Sequence, residues 1–438
     1  MIRMLLLLPG ESYRVTDFVN AASRLAGELE VDLVVGSDAA DALAGLYPGR
    51  FLPLDFSDPE RAARRIAAFA DSAPGRDLDR VVAVDDGGTL VAAHAAERLG
   101  LPANPVGAVA ATRDKALLRE RLAAAGVPSP PWWRLGEDDD PATLGRQIGF
   151  PCVVKPLSLS GSRGVIRADG PGAFTAAVER VRRLLRRPEV VRECGGSADL
   201  LVEGYIPGRE IAIEGLLEPG AAGTTRLRVL AIFDKPDPLD GPYFEETIYV
   251  TPSRLPAREQ QRAIAITERA SHALGLRRGP VHAELRLNDG DAWPVDIAAR
   301  SIGGLCARSL RFASHRPGSD EAGASLEELL LRDAVGGPAA TAGYERESSA
   351  AGVMMIPIPS AGILRSVSGA AAAESVPGIT GLSLTVTRGR RLVPLPEGGE
   401  YLGFLFSRAA TPEGAESALR RAHAALRFEV EPDEAGVG

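Results

Sequence analysis

The sequence predicts a parallel α/β domain at the N-terminus, a mixed middle, and an α+β domain at the C-terminus. Three observations predict it. The chain has 438 residues, which as a prior corresponds to about three units of ~150 residues. Its first hundred residues alternate short apolar runs with amphipathic stretches, the pattern of parallel strands spaced by helices. From about residue 112 the texture changes to longer strands separated by Ser/Gly and Pro-rich turns.

Residues 2–8 form an apolar run that ends at Pro9-Gly10, and 15–29 read as an amphipathic helix. A buried strand follows at 31–36. Residues 81–84 form another, ending in Asp85-Asp86-Gly87-Gly88 before a helix at 89–99 that Gly100 and Pro102 close. That glycine pair can cradle a phosphate, but no GxGxxG is present, and a plain strand-to-helix junction is the ordinary reading. One helix is expected over 113–125, stopped by Gly126-Val127-Pro128. Then come a strand (152–155), a Ser/Gly loop, a basic helix (172–187), a strand (200–203) and two long strands (210–217 and 226–233). Residues 282–300 read as a hairpin turning at Gly290. Residues 340–349 look like a linker before a last unit with a strand at 353–358 and a helix at 412–426. Trp132 and Trp133 read as core.

With 45% hydrophobic and 25% charged residues the chain is not disordered. Its net charge of −8 leaves no footprint for a nucleic-acid backbone. Cys152, Cys194 and Cys306 show no CxxC spacing, so neither a disulfide framework nor structural zinc is expected. The apolar opening is too short for a signal core, and no run approaches the ~18 residues of a membrane span. A soluble cytoplasmic chain, without nucleic-acid or membrane partners, is the expectation.

Lysine occurs three times, at Lys115, Lys155 and Lys235; the other 47 of the 50 basic residues are arginine. Where arginine is the habitual cation, a lysine marks a place that wants a compact ammonium, or it is a stray. Lys155 ends a buried strand and is followed by Ser158-Leu159-Ser160-Gly161-Ser162-Arg163-Gly164. Ser160, Gly161 and Ser162 can bring backbone N–H groups and hydroxyls onto phosphate oxygens beside that ammonium; an ordinary hairpin turn is the alternative. In Val202-Glu203-Gly204-Tyr205-Ile206-Pro207-Gly208-Arg209-Glu210, a strand runs into an extended hinge. Its free backbone groups can read an adenine edge, and Glu210 can accept from ribose hydroxyls or simply be a solvated carboxylate.

A three-residue turn around Gly290 places Glu284 opposite Asp296. Two carboxylates so close need a cation between them, and magnesium suits such a pair together with phosphate oxygens. A register off by one residue would separate them. Arg300, ahead of Gly303-Gly304, can hold a carboxylate and stabilise charge on a carbonyl, or merely neutralise Glu284 or Asp296.

Lys115, Lys155 with its loop, the hinge, and the Glu284/Asp296 pair occur in the order found in ATP-grasp enzymes, over roughly residues 112–312. The Asn that usually follows the second acid by two positions is Ala298 here. Asp296-Ile297-Ala298-Ala299-Arg300 with Gly303-Gly304, together with Ser12-Tyr13-Arg14, Gly279–Glu284, Asp234-Lys235-Pro236 and Tyr401-Leu402-Gly403-Phe404, resembles the L-amino acid ligase branch.

The resemblance implies units at 1–111, 112–336 (with a mobile lid at about 150–206) and 337–438. It implies that Lys115, Lys155, Ser160, Gly161, Ser162, Glu203, Tyr205, Ile206 and Glu210 bind ATP, and that Glu284 and Asp296 ligate Mg2+, or Mn2+ in its place. Arg300 and Lys235 become catalytic candidates. His282, Arg300, Gly303 and Gly304 face substrate, with a core role open for His282. Glu245 and Glu246 are candidates for a substrate ammonium. The implied activity joins an amino-acid carboxylate to an amine through an acyl phosphate. The alternatives are another carboxylate substrate or a silent ATP-binding regulator. Small-molecule substrates, and a homodimer, are the expected partners.

Overall fold

The computed structural model describes residues 2–10, 12–43, 50–72, 78–194, 196–220, 225–288, 290–314 and 323–432. At the N-terminus, four parallel strands run in the order Arg50–Pro53, Val31–Ser37, Ile2–Leu7, Leu78–Ala83. Met4–Leu7 of the Ile2–Leu7 strand is apolar and buried throughout because both its faces are covered. Met4 and Leu6 face the side of the Val15–Glu28 helix, while Leu5 and Leu7 pack with Ile66 and Val91 from the helices on the other side. Asp85 caps the Asp86–Leu99 helix by accepting from the Asp86 N–H.

The helix expected over 113–125 is present as Lys115–Ala124, and a further helix, Val106–Arg113, precedes it. Asp114 is extended between them, and its Oδ1 accepts from the N–H groups of Ala116 (2.8 Å) and Leu117 (3.1 Å). This side-chain cap starts the helix at Lys115, two residues later than expected, and separates it from the helix before.

The stretch expected as a lid, about 150–206, belongs with Trp132–Leu135 to an antiparallel sheet in the order Trp132–Leu135, Leu200–Gly204, Cys152–Pro156, Ile166–Ala168. It is backed by the Pro171–Leu185 helix, whose Phe174, Val178 and Val181 are fully buried against Cys152, Val154 and Val202. Burying a Phe or Val contributes about 1.5–3 kcal/mol each. Trp133 is only half-buried against this core, and Trp132 packs half-buried on the Ala116–Leu157–Leu201 cluster.

The central sheet has eight strands, ordered Asp291–Ala298, Gly279–Asn288, Arg209–Pro219, Thr225–Asp234, Ile248–Thr251, Ala350–Ile356, Gly403–Ala409, Ile379–Leu384. It runs without interruption from the middle of the chain into the C-terminal unit, through the antiparallel pairing of Ile248–Thr251 with Ala350–Ile356. The segment expected as a linker carries structure: residues 338–341 are helical, and Tyr344–Arg346 pairs with Phe312–Ser314. Their pairing partners are distant in sequence, so local composition did not reveal them.

The hairpin reaches its expected register by a different route. Asn288 pairs with Asp291, so the connection has two residues rather than three. The register then shifts between Glu284 and Leu285, leaving Val295 as the extra residue, and this bulge restores Glu284 opposite Asp296. Among the described residues, no helix is long and apolar enough to cross a membrane. Cys152 and Cys306 are free and buried; the side chain of Cys194 lies outside the described residues.

Candidate active site

A cavity of about 1060 Å³ opens where the N-terminal sheet, the lid, the central sheet and the 397–401 segment meet. All the site residues expected from the sequence line it except Glu245, which does not, and Lys235, which bonds to Glu210, Glu246 and Glu284 of its lining.

One end of the cavity is rich in cations. Lys155, at the end of its lid strand, places Nζ 2.7 Å from Glu203, and Arg119 donates to the same carboxylate at 2.5 Å. Burial works against ionisation of Glu203, but Arg119 and Lys155 outweigh it and bring the carboxyl down to about 2. Lys115 donates to the Leu159 carbonyl at 2.7 Å, so it props the Ser/Gly loop while lining the cavity. Burial pushes its ammonium down, with Asp296 acting the other way. In that loop Gly161 and Ser162 both have positive φ, +63° and +57°. Successive backbones of this kind suit a concave set of N–H groups, which is the geometry of an anion nest.

The hinge is narrower than the sequence suggested. The Gly204 and Tyr205 N–H groups are taken by the carbonyls of Pro131 (2.9 Å) and Pro151 (3.0 Å), and the Ile206 carbonyl accepts from Arg286 (2.8 Å). Tyr205 donates to Asp240 at 2.6 Å and stacks under Arg167, whose guanidinium carbon lies 4.3 Å from the ring centroid.

The floor is rich in carboxylates. Cross-strand pairing sets His282 opposite Glu214, Glu284 opposite Ala212, and Arg286 opposite Glu210. Lys235 Nζ lies among Glu210 (2.8 Å), Glu246 (2.5 Å) and Glu284 (3.0 Å). Burial would discharge this lysine, but the three carboxylates hold its pKa well above the usual value. Glu246 is pushed up to about 7 by burial and by Glu284. Burial also opposes ionisation of Glu284, yet Lys235 and His282 hold it well below the usual carboxylate range. His282 rises to about 9: burial opposes its charge, but hydrogen bonds to Glu214 and Glu284 prevail, so the ring is an imidazolium at neutral pH. Glu210 is thus engaged by Lys235 and Arg286 rather than solvated.

Glu284 and Asp296 face each other on neighbouring strands but see different partners. Glu284 belongs to the floor; Asp296 lies in the field of Lys115 and Arg300. One oxygen each from Glu210, Glu246 and Glu284 falls within 4.8 Å of the others. Hard carboxylate oxygens at this spacing suit a divalent cation of the magnesium type.

Arg300 does not neutralise Glu284 or Asp296. Its Nε lies 2.9 Å from Asp86 and 3.8 Å from Asp85, both at the Asp85–Gly88 junction of the N-terminal unit. Burial disfavours ionised Asp86, but Arg300 and Arg113 bring it down to about 2. The junction read as plain thus supplies the counter-ions of the key arginine. Gly304 has φ +58°, and a Cβ there would meet the Phe404 ring at 3.1 Å, so the segment beyond Arg300 requires glycine.

Sequence reasoning missed Arg119, Arg286, Glu214 and the Asp85/Asp86 pair. A signal existed for some of them. Arg119 lies one helical turn beyond Lys115, and Glu210/Glu214 and His282/Glu284/Arg286 recur with period two inside apolar strands. Polar residues at that period form a polar face on a buried sheet. For Asp86 there was none, because its partner is more than two hundred residues away.

This architecture sets a cation-rich loop, suited to phosphates, against a carboxylate floor in one cavity. Three family models match the chain in succession: an ATP-grasp N-terminal domain at residues 21–103, an ATP-grasp domain at 148–309, and L-amino acid ligase C-terminal domain 2 at 354–431. The matches are thus to ATP-grasp domains and to a C-terminal domain of the L-amino acid ligase type. It is similar to the alanine–anticapsin ligase of Bacillus subtilis, 29% identical over 48% of this chain and 46% of that protein. It is also similar to a D-alanine–D-alanine ligase of Aromatoleum aromaticum, 29% identical over 49% of this chain and 64% of the other. The alignments thus span about half to two thirds of these curated relatives. Its fold matches the crystal structure of an L-amino acid ligase from Bacillus licheniformis with a TM-score of 0.77, at 23% identity over 98% of this chain and 99% of that one.

Proposed function

We propose that the chain is an ATP-dependent carboxylate–amine ligase that joins an amino-acid carboxylate to the amine of a second amino acid. The observation that carries this reading is the placement of Arg300. It lines the same cavity as the cationic lid end and the carboxylate floor, and Asp86 holds it there at 2.9 Å. The curated relatives, which are ligases by name, support the same reading.

In the proposed reaction an oxygen of the bound carboxylate attacks the γ-phosphorus of ATP, and ADP leaves. The amine nitrogen then attacks the carbonyl carbon of the acyl phosphate. Its surplus proton is lost, the carbon–oxygen bond to phosphate breaks, and amide and inorganic phosphate are released. Lys115, Lys155 and the Ser160–Ser162 backbone take the phosphate oxygens, while Glu203, Tyr205, Ile206 and Glu210 bound the nucleoside end. Arg300 holds the carboxylate and then the oxyanion, where a preorganised cation counts for most. Glu284 and Asp296 would hold Mg2+, or Mn2+, which neutralises phosphate charge when bound. The enzyme would work in the cytoplasm, where Mg-ATP is available.

The test is phosphate release from Mg-ATP with the twenty amino acids offered singly and in all pairs. The expected result is release that depends on a particular pair, with a product mass of the two acids less water. Lys155→Ala, Glu284→Ala and Arg300→Ala should each abolish ADP formation in folded protein. Release that is the same for every pair, or near-normal turnover in those variants, would sink the assignment.

A further inference from the structure

The Ser12-Tyr13-Arg14 motif is not used by the chemistry above, and neither is Glu214. Both are aimed at the same short segment. Arg14 is 1% exposed and does not line the cavity. It donates through Nη2 to Ser301 Oγ at 2.7 Å, and through Nη1 to the Val84 carbonyl at 2.8 Å and the Ser301 carbonyl at 3.4 Å. That Ser301 carbonyl also accepts from Arg300 Nη1 at 2.9 Å.

From the opposite side Glu214, likewise 1% exposed, accepts the Ile302 N–H on both oxygens, at 2.8 and 3.0 Å. Its Oε1 also takes His282 Nδ1 at 3.0 Å. The two residues before Arg14 extend the grip. Ser12 donates to Asp85, one of the counter-ions of Arg300, at 2.6 Å, and Tyr13 packs edge-on against Phe404 at 5.6 Å between centroids.

We infer that Arg14 and Glu214 are positioning residues that clamp Ser301–Ile302 between the N-terminal unit and the central sheet, thereby aiming the Arg300 guanidinium. The inference rests on the proposed ligase reading. Its physical ground is that both are buried charged groups with directed bonds to consecutive residues. Ser301 and Ile302 therefore cannot shift without leaving a buried donor or acceptor unpaired. An arginine that aims at a reacting carboxylate gains from such support, because a displacement of about 1 Å costs roughly a hundredfold in rate.

The experiment compares wild type with Arg14→Gln, Glu214→Ala, Glu214→Gln and Ser301→Ala in the full chain. It reads Mg-ATP affinity, KM and kcat for the carboxylate substrate, ADP formed per amide, and Tm. In Arg14→Gln and Glu214→Ala the expected result is Mg-ATP affinity within about twofold and a fall of about tenfold or more in kcat/KM for the carboxylate. ADP per amide should rise above the wild-type value, because a misaimed acyl phosphate is lost to water. Glu214→Gln keeps a carbonyl acceptor for the Ile302 N–H and should recover part of the loss. Ser301→Ala removes a single Arg14 contact and should cost about fivefold; it and Glu214→Gln carry the test if a larger truncation fails to fold.

Wild-type-like kinetics in all four variants would overturn the inference. So would loss of Mg-ATP affinity in parallel with the carboxylate, or a loss that follows Tm with Gln no better than Ala. If wild type releases no phosphate with any pair, the ligase reading itself fails. Hydrogen exchange of the peptide covering 300–304 then decides the clamp: faster exchange in Glu214→Gln and Ser301→Ala supports it, and unchanged exchange ends it.

Discussion

The two ends of the cavity are built from the same residue types with opposite balance. At the lid end one carboxylate, Glu203, is shared by two cations, Lys155 and Arg119, with Lys115 beside the same phosphate-suited loop. At the floor four carboxylates, Glu210, Glu214, Glu246 and Glu284, outnumber three cations: Lys235 among three of them, Arg286 on Glu210, and His282 on Glu214 and Glu284. The first cluster satisfies its acid completely and keeps a surplus of positive charge. The second strains to keep its acids ionised, as Glu246 at about 7 shows. Surplus sign, rather than the presence of charge, separates a place for phosphates from a place for a metal cation. Each surplus is left for a ligand to neutralise.

The largest effect should come from removing the surplus at either end. Lys155→Met and Glu284→Gln should each lower ADP formation about a thousandfold. Their binding should part company: Lys155→Met weakens nucleotide binding without metal, whereas Glu284→Gln weakens only the metal-dependent part. Calorimetry with ATP, with and without Mg2+, reads the difference, and identical binding defects would erase the contrast.

The next effect concerns stability. Lys235→Met leaves the buried Glu210 facing the half-buried Glu246 and Glu284 without their shared ammonium, which should cost about 3 kcal/mol by analogy with other broken buried pairs. Added Mg2+ or Mn2+ should raise the Tm of this variant more than that of wild type, because the cation takes the place of the ammonium. Equal shifts in both proteins would argue that the cluster is no cation site.

The smallest effect is the acid response of the lid end. The folded pKa of Glu203, about 2, lies below the ordinary 4.5. Its stabilisation is therefore full above the unfolded value and is lost as pH falls through about 2. At about 1.4 kcal/mol per unit this is roughly 3 kcal/mol. Urea melts from pH 6 to 3 should show wild type losing stability over a stretch where Glu203→Gln loses less; parallel curves would remove Glu203 as the cause.

Much of the site was legible because it lies at the ends of regular elements. Lys155 closes an apolar strand, Glu203 enters the hinge, and Glu284 and Asp296 sit on a hairpin whose turn announces itself. The hairpin also shows how a right register can rest on a wrong turn, since the bulge at Val295 compensated for the missing loop residue. The helix Val106–Arg113 was missed because its eight residues are mostly small, and the strand at Tyr344–Arg346 because its partner lies thirty residues earlier.

By itself the sequence determined which elements hold the candidate site residues. Strand and helix periods are local, and a rare lysine stands out in a chain of arginines. Only the tertiary structure decided what each charge faces. Lys235 became the centre of a carboxylate cage, Arg300 found its counter-ions at Asp85 and Asp86, and Arg14 reached Ser301 across 287 positions. Electrostatic partners depend on distance in space and on burial, and no local pattern of residues records either.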